Sequence, residues 1–119
     1  MPGDMVDKYG RVRVHQVVSD FYGAVLRSRK LAPYFDGVDV HGLMQHQAAF
    51  LAAVMGGPKL HSEKDIASAH RGLGVDPGDF EEMIQLLRAS LEKLDFDAED
   101  IEAITNRYYE YKRSVVTAG

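Results

Sequence analysis

The chain has 119 residues, no cysteine, and 18 acidic against 14 basic side chains, a formal net charge of −4 at pH 7. That length suits a single compact domain able to fold unaided, and the missing thiols exclude disulfides, thiolate metal sites and thiol catalysis. The acidic balance argues against a nucleic-acid partner, which would need a basic face to neutralise phosphate. The longest apolar run, Ala48 to Met55, is far short of the ~20 residues a membrane-crossing helix needs. Met1 to Asp7 is acidic and leads into no apolar run, unlike an export signal, so a cytoplasmic protein with no membrane partner is expected.

Val14, Val17, Val18, Phe21, Val25 and Leu26 fall on one face at helical spacing and predict a helix from about Arg11 to Ser28. Pro33 and the Asp36-Gly37 pair break the next stretch into short pieces. A second helical pattern begins near Val40 with Leu43, Gln47, Phe50, Leu51 and Val54 on one side, so Gln47 interrupts an apolar stripe. Gly56-Gly57-Pro58 ends it, because glycine supplies the conformation of a helix stop and proline cannot continue the ladder. Lys64 to Leu73 predicts a short helix carrying Ile66, His70 and Leu73 on one side, closed by Gly72 and Gly74.

Asp79 followed by Glu82 reads as a capping pair at the start of a third long helix, whose stripe is Phe80, Met83, Ile84, Leu87, Leu91 and Leu94. Asp97 caps a fourth, carrying Ile101, Ile104, Tyr108, Tyr111 and Val115. No strand pattern, internal repeat or long linker competes, so residues 1–119 form one all-α domain. Glycine-containing breaks on both sides of a short helix that presents a lone histidine suggest a pocket.

Several chemistries have no foothold. There is no Glu-x-x-His for a di-iron bundle, no His-Glu-x-x-His for zinc, no Gly-x-Ser-x-Gly elbow and no phosphate loop; Gly56-Gly57-Pro58-Lys59 only echoes one. Haem, by contrast, needs one neutral imidazole aimed at iron and an apolar slot, and His70 meets the first demand. Its second ring nitrogen would donate to a backbone carbonyl and fix the tautomer. On the residues alone, a histidine on an apolar helix face is more often a hydrogen-bonded core residue. Tyr22 and Gln47 each place a hydrogen-bond donor beside an apolar stripe, fit for a diatomic ligand, or for nothing more than a core aromatic and a boundary residue. His46, rotated about 100° from Gln47 on a helix, could face the iron, a haem propionate or solvent. His15, His41 and His61 read as surface or loop residues.

Phe21-Tyr22, Tyr34-Phe35, His46-Gln47, Phe50-Leu51, Gly56-Gly57-Pro58 and Ala69-His70, in this order and spacing, resemble group I truncated haemoglobins over nearly the whole chain. The resemblance implies a truncated globin with a two-over-two helical sandwich, a vestigial first helix, and a proximal helix reduced to a loop and a turn. It implies haem b (iron protoporphyrin IX) with His70 as the proximal iron ligand and Tyr22 and Gln47 as the distal hydrogen-bonding pair. Phe35 would pack on the porphyrin, and Leu43, Phe50, Leu51, Ile66 and Phe80 would line the pocket. His46 falls where some relatives ligate iron from the distal side, which makes a bis-histidine resting state an expectation to test. The chain departs from the pattern in two places: Tyr9-Gly10 runs straight into Arg11 where relatives carry a glycine pair, and Leu43 stands where many bis-histidine relatives carry a polar residue.

The function this implies is a monomeric haem protein binding dioxygen, nitric oxide and carbon monoxide, with nitric oxide dioxygenase activity fed by a separate reductase. The alternatives are a bis-histidine electron-transfer or redox and gas-sensing protein, and a helical interaction module without haem. A sensor domain continuing through the last helix is disfavoured by the six residues that follow Arg113.

Overall fold

A computed structural model describes residues 5–56, 66–67, 70 and 73–116. Every regular element among them is helical: α1 (Met5–Tyr9), α2 (Arg11–Leu26), a 3₁₀ turn (Ala32–Phe35), α3 (Val40–Gly56), α4 (Pro77–Lys93), α5 (Ala98–Tyr109) and α6 (Lys112–Val115). Ile66, Ala67 and His70 are also helical, as the short-helix reading requires. The predicted stop at Gly57-Pro58, His61, and residues 64–65, 68–69 and 71–72 of the Lys64–Leu73 segment, Ala69 and Gly72 among them, lie outside the described residues, while Leu73, expected on the apolar side of that helix, is an exposed bend residue. None of the described helices is long and apolar enough to cross a membrane.

The α1–α2 corner is made by Gly10 alone, at φ 86° and ψ 151°. That region of backbone space is essentially closed to residues with a Cβ, so a single glycine suffices where a pair is usual among the resembled proteins. The third long helix starts earlier than the Asp79–Glu82 pattern implies. Asp76 is its cap, accepting from the Asp79 amide at 2.7 Å, and Pro77 occupies the first turn, where its missing N–H costs nothing. Asp79 is instead a buried residue of that turn. The helix ends with the Phe96 amide donating to the Leu91 carbonyl and the Asp95 amide to that of Glu92, each at 3.0 Å, and with Asp95 at φ 65°. This is a Schellman stop closed by the apolar contact of buried Phe96 and Leu91. The fourth stripe is interrupted after Tyr109 and resumes as α6.

Helix α2 packs on α3 and α4, α5 packs on α4 and α3, and α1 lies on α2 and α3. The α2/α3 pair thus stacks on the α4/α5 pair, the expected two-over-two layering. Val17, Val25, Leu31, Leu51, Met55, Leu91 and Ile104 are fully enclosed between the pairs, each contributing roughly 1.5–3 kcal/mol of apolar burial. Polar ties set the register. Asp20 on α2 accepts from Ser90 Oγ at 2.8 Å and pairs with Lys93 Nζ at 2.7 Å on α4. Arg107 on α5 donates to the Val54 and Met55 carbonyls that end α3, which a cation at a helix C-terminus also favours electrostatically.

Candidate functional site

His70 is half-buried, and its Nδ1 lies 2.8 Å from the Ile66 carbonyl oxygen. A carbonyl can only accept, so Nδ1 carries a hydrogen, and in the neutral ring Nε2 is then the nitrogen whose lone pair is open to a Lewis acid. This is the tautomer-fixing bond expected from the spacing, supplied by the helix itself through the residue four positions back. Among the described residues, no three His, Asp or Glu side chains converge as a protein-only metal site.

Tyr22 is buried on α2, with Phe21 edge-on at 5.0 Å and Phe35 edge-on at 5.8 Å between ring centres. Its hydroxyl makes no hydrogen bond to a described residue, and burial pushes the phenol well above its ordinary range, which keeps it a neutral donor. Phe50 and Leu51 are buried on α3, and Leu43 and Ile66 are half-buried against the same core. Gln47 is half-buried on α3, while His46 beside it is exposed. His15 and His41 are exposed as expected. Phe80 is buried at the α4–α5 seam, its ring 5.8 Å from Tyr109 and 6.0 Å from the Lys112 ammonium.

One feature escaped sequence reasoning. It fixes Phe35. The Tyr34 hydroxyl donates to Asp79 Oδ2 at 2.5 Å, and the Lys30 ammonium lies 3.2 Å from Oδ1, an atom that accepts no hydrogen bond. The Asp79 carboxylate pushes the Tyr34 phenol up to about 12, and the Tyr34 hydroxyl, then Lys30, hold Asp79 below the usual carboxylate range. The 3₁₀ turn is thereby clamped to α4, and Phe35 is held against Tyr22. Asp-x-x-Glu in a sequence signals a cap as readily as a buried anion, and nothing in the spacing separates the two. Tyr108, on the stripe expected of the fourth helix, packs its ring 5.5 Å from Phe50.

Residues 5–117 match the bacterial-like globin family. The group 1 truncated haemoglobin of Tetrahymena thermophila is 31% identical over 85 residues, 71% of this chain and 70% of that protein. The group 1 truncated haemoglobin GlbN of a Nostoc species is 26% identical over 107 residues, 90% of this chain and 91% of that protein. Among solved structures, the Fe(III) form of the Tetrahymena pyriformis truncated haemoglobin superposes with a TM-score of 0.84 at 23% identity, covering 96% of this chain and 98% of that one. The 2/2 haemoglobin of Synechococcus sp. PCC 7002, in its cyanomet state with covalently attached haem, gives 0.85 at 21% over the same shares. The paired-helix fold is shared with these structures, and the family match over residues 5–117 shows that this chain belongs to the bacterial-like globin family.

Proposed function

We propose that this globin binds haem through His70 and takes up dioxygen, nitric oxide and carbon monoxide beside Tyr22 and Gln47. The observation that carries the reading is the His70 ring, fixed through Nδ1 on the Ile66 carbonyl, which in the neutral ring leaves Nε2 as the nitrogen to meet iron. The donor set suits the group: one imidazole, apolar rings at Phe35, Phe50 and Phe80, and a buried Tyr22 hydroxyl with no hydrogen-bond partner among the described residues. The absence of cysteine rules out thioether attachment, and haem b is the form this proposal takes. When bound, haem supplies the iron that takes up the gas and carries the redox change.

The protein's own part is positional. His70 holds the group from one side, the aromatic rings exclude water, and Tyr22 and Gln47 donate hydrogen bonds to a ligand that gains negative charge on binding. The reading extends to joining nitric oxide and dioxygen as nitrate. That conversion consumes one electron, so a separate reductase belongs to the proposal.

The test is titration of the purified chain with haemin, followed by the absorption spectrum after anaerobic reduction. Stoichiometric uptake with a sharp Soret band is expected, with loss of tight uptake in His70→Ala; absence of saturable uptake by the unaltered chain overturns the reading. Because the His46 side chain is exposed, His46→Ala is expected to leave the reduced spectrum unchanged. Disappearance of split low-spin bands in that variant would instead put His46 on the iron and favour electron transfer over gas binding.

A further inference from the structure

The 3₁₀ turn Ala32–Phe35 contains no buried residue, yet Phe35 at its end meets the buried Tyr22 ring edge-on at 5.8 Å. Its own backbone bonds, from the Tyr34 amide to the Leu31 carbonyl at 3.1 Å and from the Asp36 amide to that of Pro33 at 3.3 Å, shape the turn without attaching it to a neighbouring helix. Attachment comes first from upstream. Leu31 is fully enclosed, its amide donates to Ser28 Oγ at 3.2 Å, and the Ser28 hydroxyl donates to Glu82 on α4. Downstream, residues 36–39 are exposed and supply no comparable anchor. The tie nearest Phe35 is therefore the Tyr34 side chain, whose hydroxyl donates to Asp79 Oδ2 at 2.5 Å, with the Gly74 carbonyl a more distant acceptor at 3.4 Å.

The second Asp79 oxygen is buried and accepts no hydrogen bond, with the Lys30 ammonium 3.2 Å away. A buried carboxylate with half its acceptor capacity unused is a costly way to attach a turn, and an apolar contact would do so more cheaply. What the carboxylate adds is direction. A short bond from Tyr34 fixes the next residue, Phe35, and Phe35 bears on the Tyr22 ring from outside α2, whereas Phe21 belongs to the same helix and moves with it. We propose that Tyr34 and Asp79 are positioning residues for the gas-binding site: by holding Phe35 they fix the Tyr22 ring at the angle from which its hydroxyl donates to a strongly polarised diatomic ligand. This rests on the haem reading above. It adds that retention of dioxygen is set in part by a bond that touches neither haem nor ligand, while carbon monoxide, a weak hydrogen-bond acceptor, is nearly indifferent to it.

The test uses Tyr34→Phe, which keeps the ring and removes the bond, alone and combined with Tyr22→Phe. Ser90→Ala serves as the control, since it removes a different tie between helices, Ser90 Oγ to Asp20 at 2.8 Å. Two measurements are made. The first is the proton contact between the Tyr22 and Phe35 rings, read by NMR on the haem-free chain; it is expected to weaken in Tyr34→Phe and to persist in Ser90→Ala. The second is release of dioxygen and of carbon monoxide from the reduced, haem-loaded proteins. Tyr34→Phe is expected to speed dioxygen release by about three- to tenfold and carbon monoxide release by less than about twofold. In the Tyr22→Phe background the same substitution is expected to change dioxygen release by less than about twofold, because the donor it positions is gone. An intact ring contact in Tyr34→Phe, unchanged dioxygen release in a variant that takes up haemin normally, equal acceleration with and without the Tyr22 hydroxyl, or equal acceleration in Ser90→Ala overturns the assignment and leaves the bond a structural tie. Failure of the unaltered chain to take up haemin is seen before any variant is compared and sinks the haem reading itself, and the assignment with it.

Discussion

Asp79 is the residue that holds Phe35 in place beside Tyr22. It is 6% exposed, its carboxylate accepts from Tyr34 and faces Lys30, and its folded pKa is lowered, as are those of Asp20 and Asp100. A carboxyl whose folded pKa lies below its unfolded value contributes stability that is complete above the unfolded pKa, near 4, and is lost as the pH falls through the folded one. Acid titration of the unfolding free energy is therefore expected to show stability falling below about pH 4. Asp79→Asn should flatten that limb and cost about 1–3 kcal/mol at neutral pH. An acid limb as steep in the variant as in the parent would remove Asp79 from this role. The proposed site residues His70, Tyr22 and Gln47 stand out in the sequence because each sets a polar group on or beside an apolar face. The part played by Asp79 does not, because spacing reports which face a residue occupies and says nothing of which partner its polar atoms find.

The helices were read well and their ends less so. Apolar periodicity fixes α2 and α3 to within a couple of residues, since burial of one face dominates their energetics. Ends depend on one or two polar bonds. Asp76 with Pro77 outcompetes the later Asp79–Glu82 pair, and Asp95 closes α4 where glycine is the usual signal. Asp95 at φ 65° pays for a conformation glycine adopts freely. Asp95→Gly is accordingly expected to stabilise the protein by roughly 0.5–1 kcal/mol, seen as a higher thermal midpoint with an unchanged helical spectrum. A lower midpoint would mean that the Asp95 side chain contributes a bond of its own.

At the scale of the whole molecule, the layering of α2/α3 on α4/α5 was expected from the resemblance. The cross-ties that hold the layers were invisible to local pattern, since they join residues far apart in the chain. The proposed haem site involves α2, α3 and the His70 segment together, so a group bound there binds the folded state and not the unfolded one. Stability should then rise by about 2.7 kcal/mol when free haemin stands at a hundredfold over its dissociation constant. Thermal unfolding with and without haemin measures this. An identical midpoint, in a sample whose spectrum shows uptake, would mean that haemin sits outside the folded pocket.

The contacts that seat α1 reach furthest of all. Lys8 bridges Asp97 and Asp100 at 2.7 Å each, the Tyr9 hydroxyl donates to Asp100 91 positions later, and the Tyr9 ring stacks on Phe96 at 3.8 Å. During synthesis, α1 leaves the ribosome long before those partners exist, and no nearer segment supplies an equivalent carboxylate pair and ring. A nascent chain that stalls before α5 therefore carries a Tyr9 ring and a Lys8 ammonium without these partners, leaving α1 only its seat on α2 and α3. Completion of α5 withdraws both at once, so the tie between α1 and α5 marks a chain that has passed this point in synthesis.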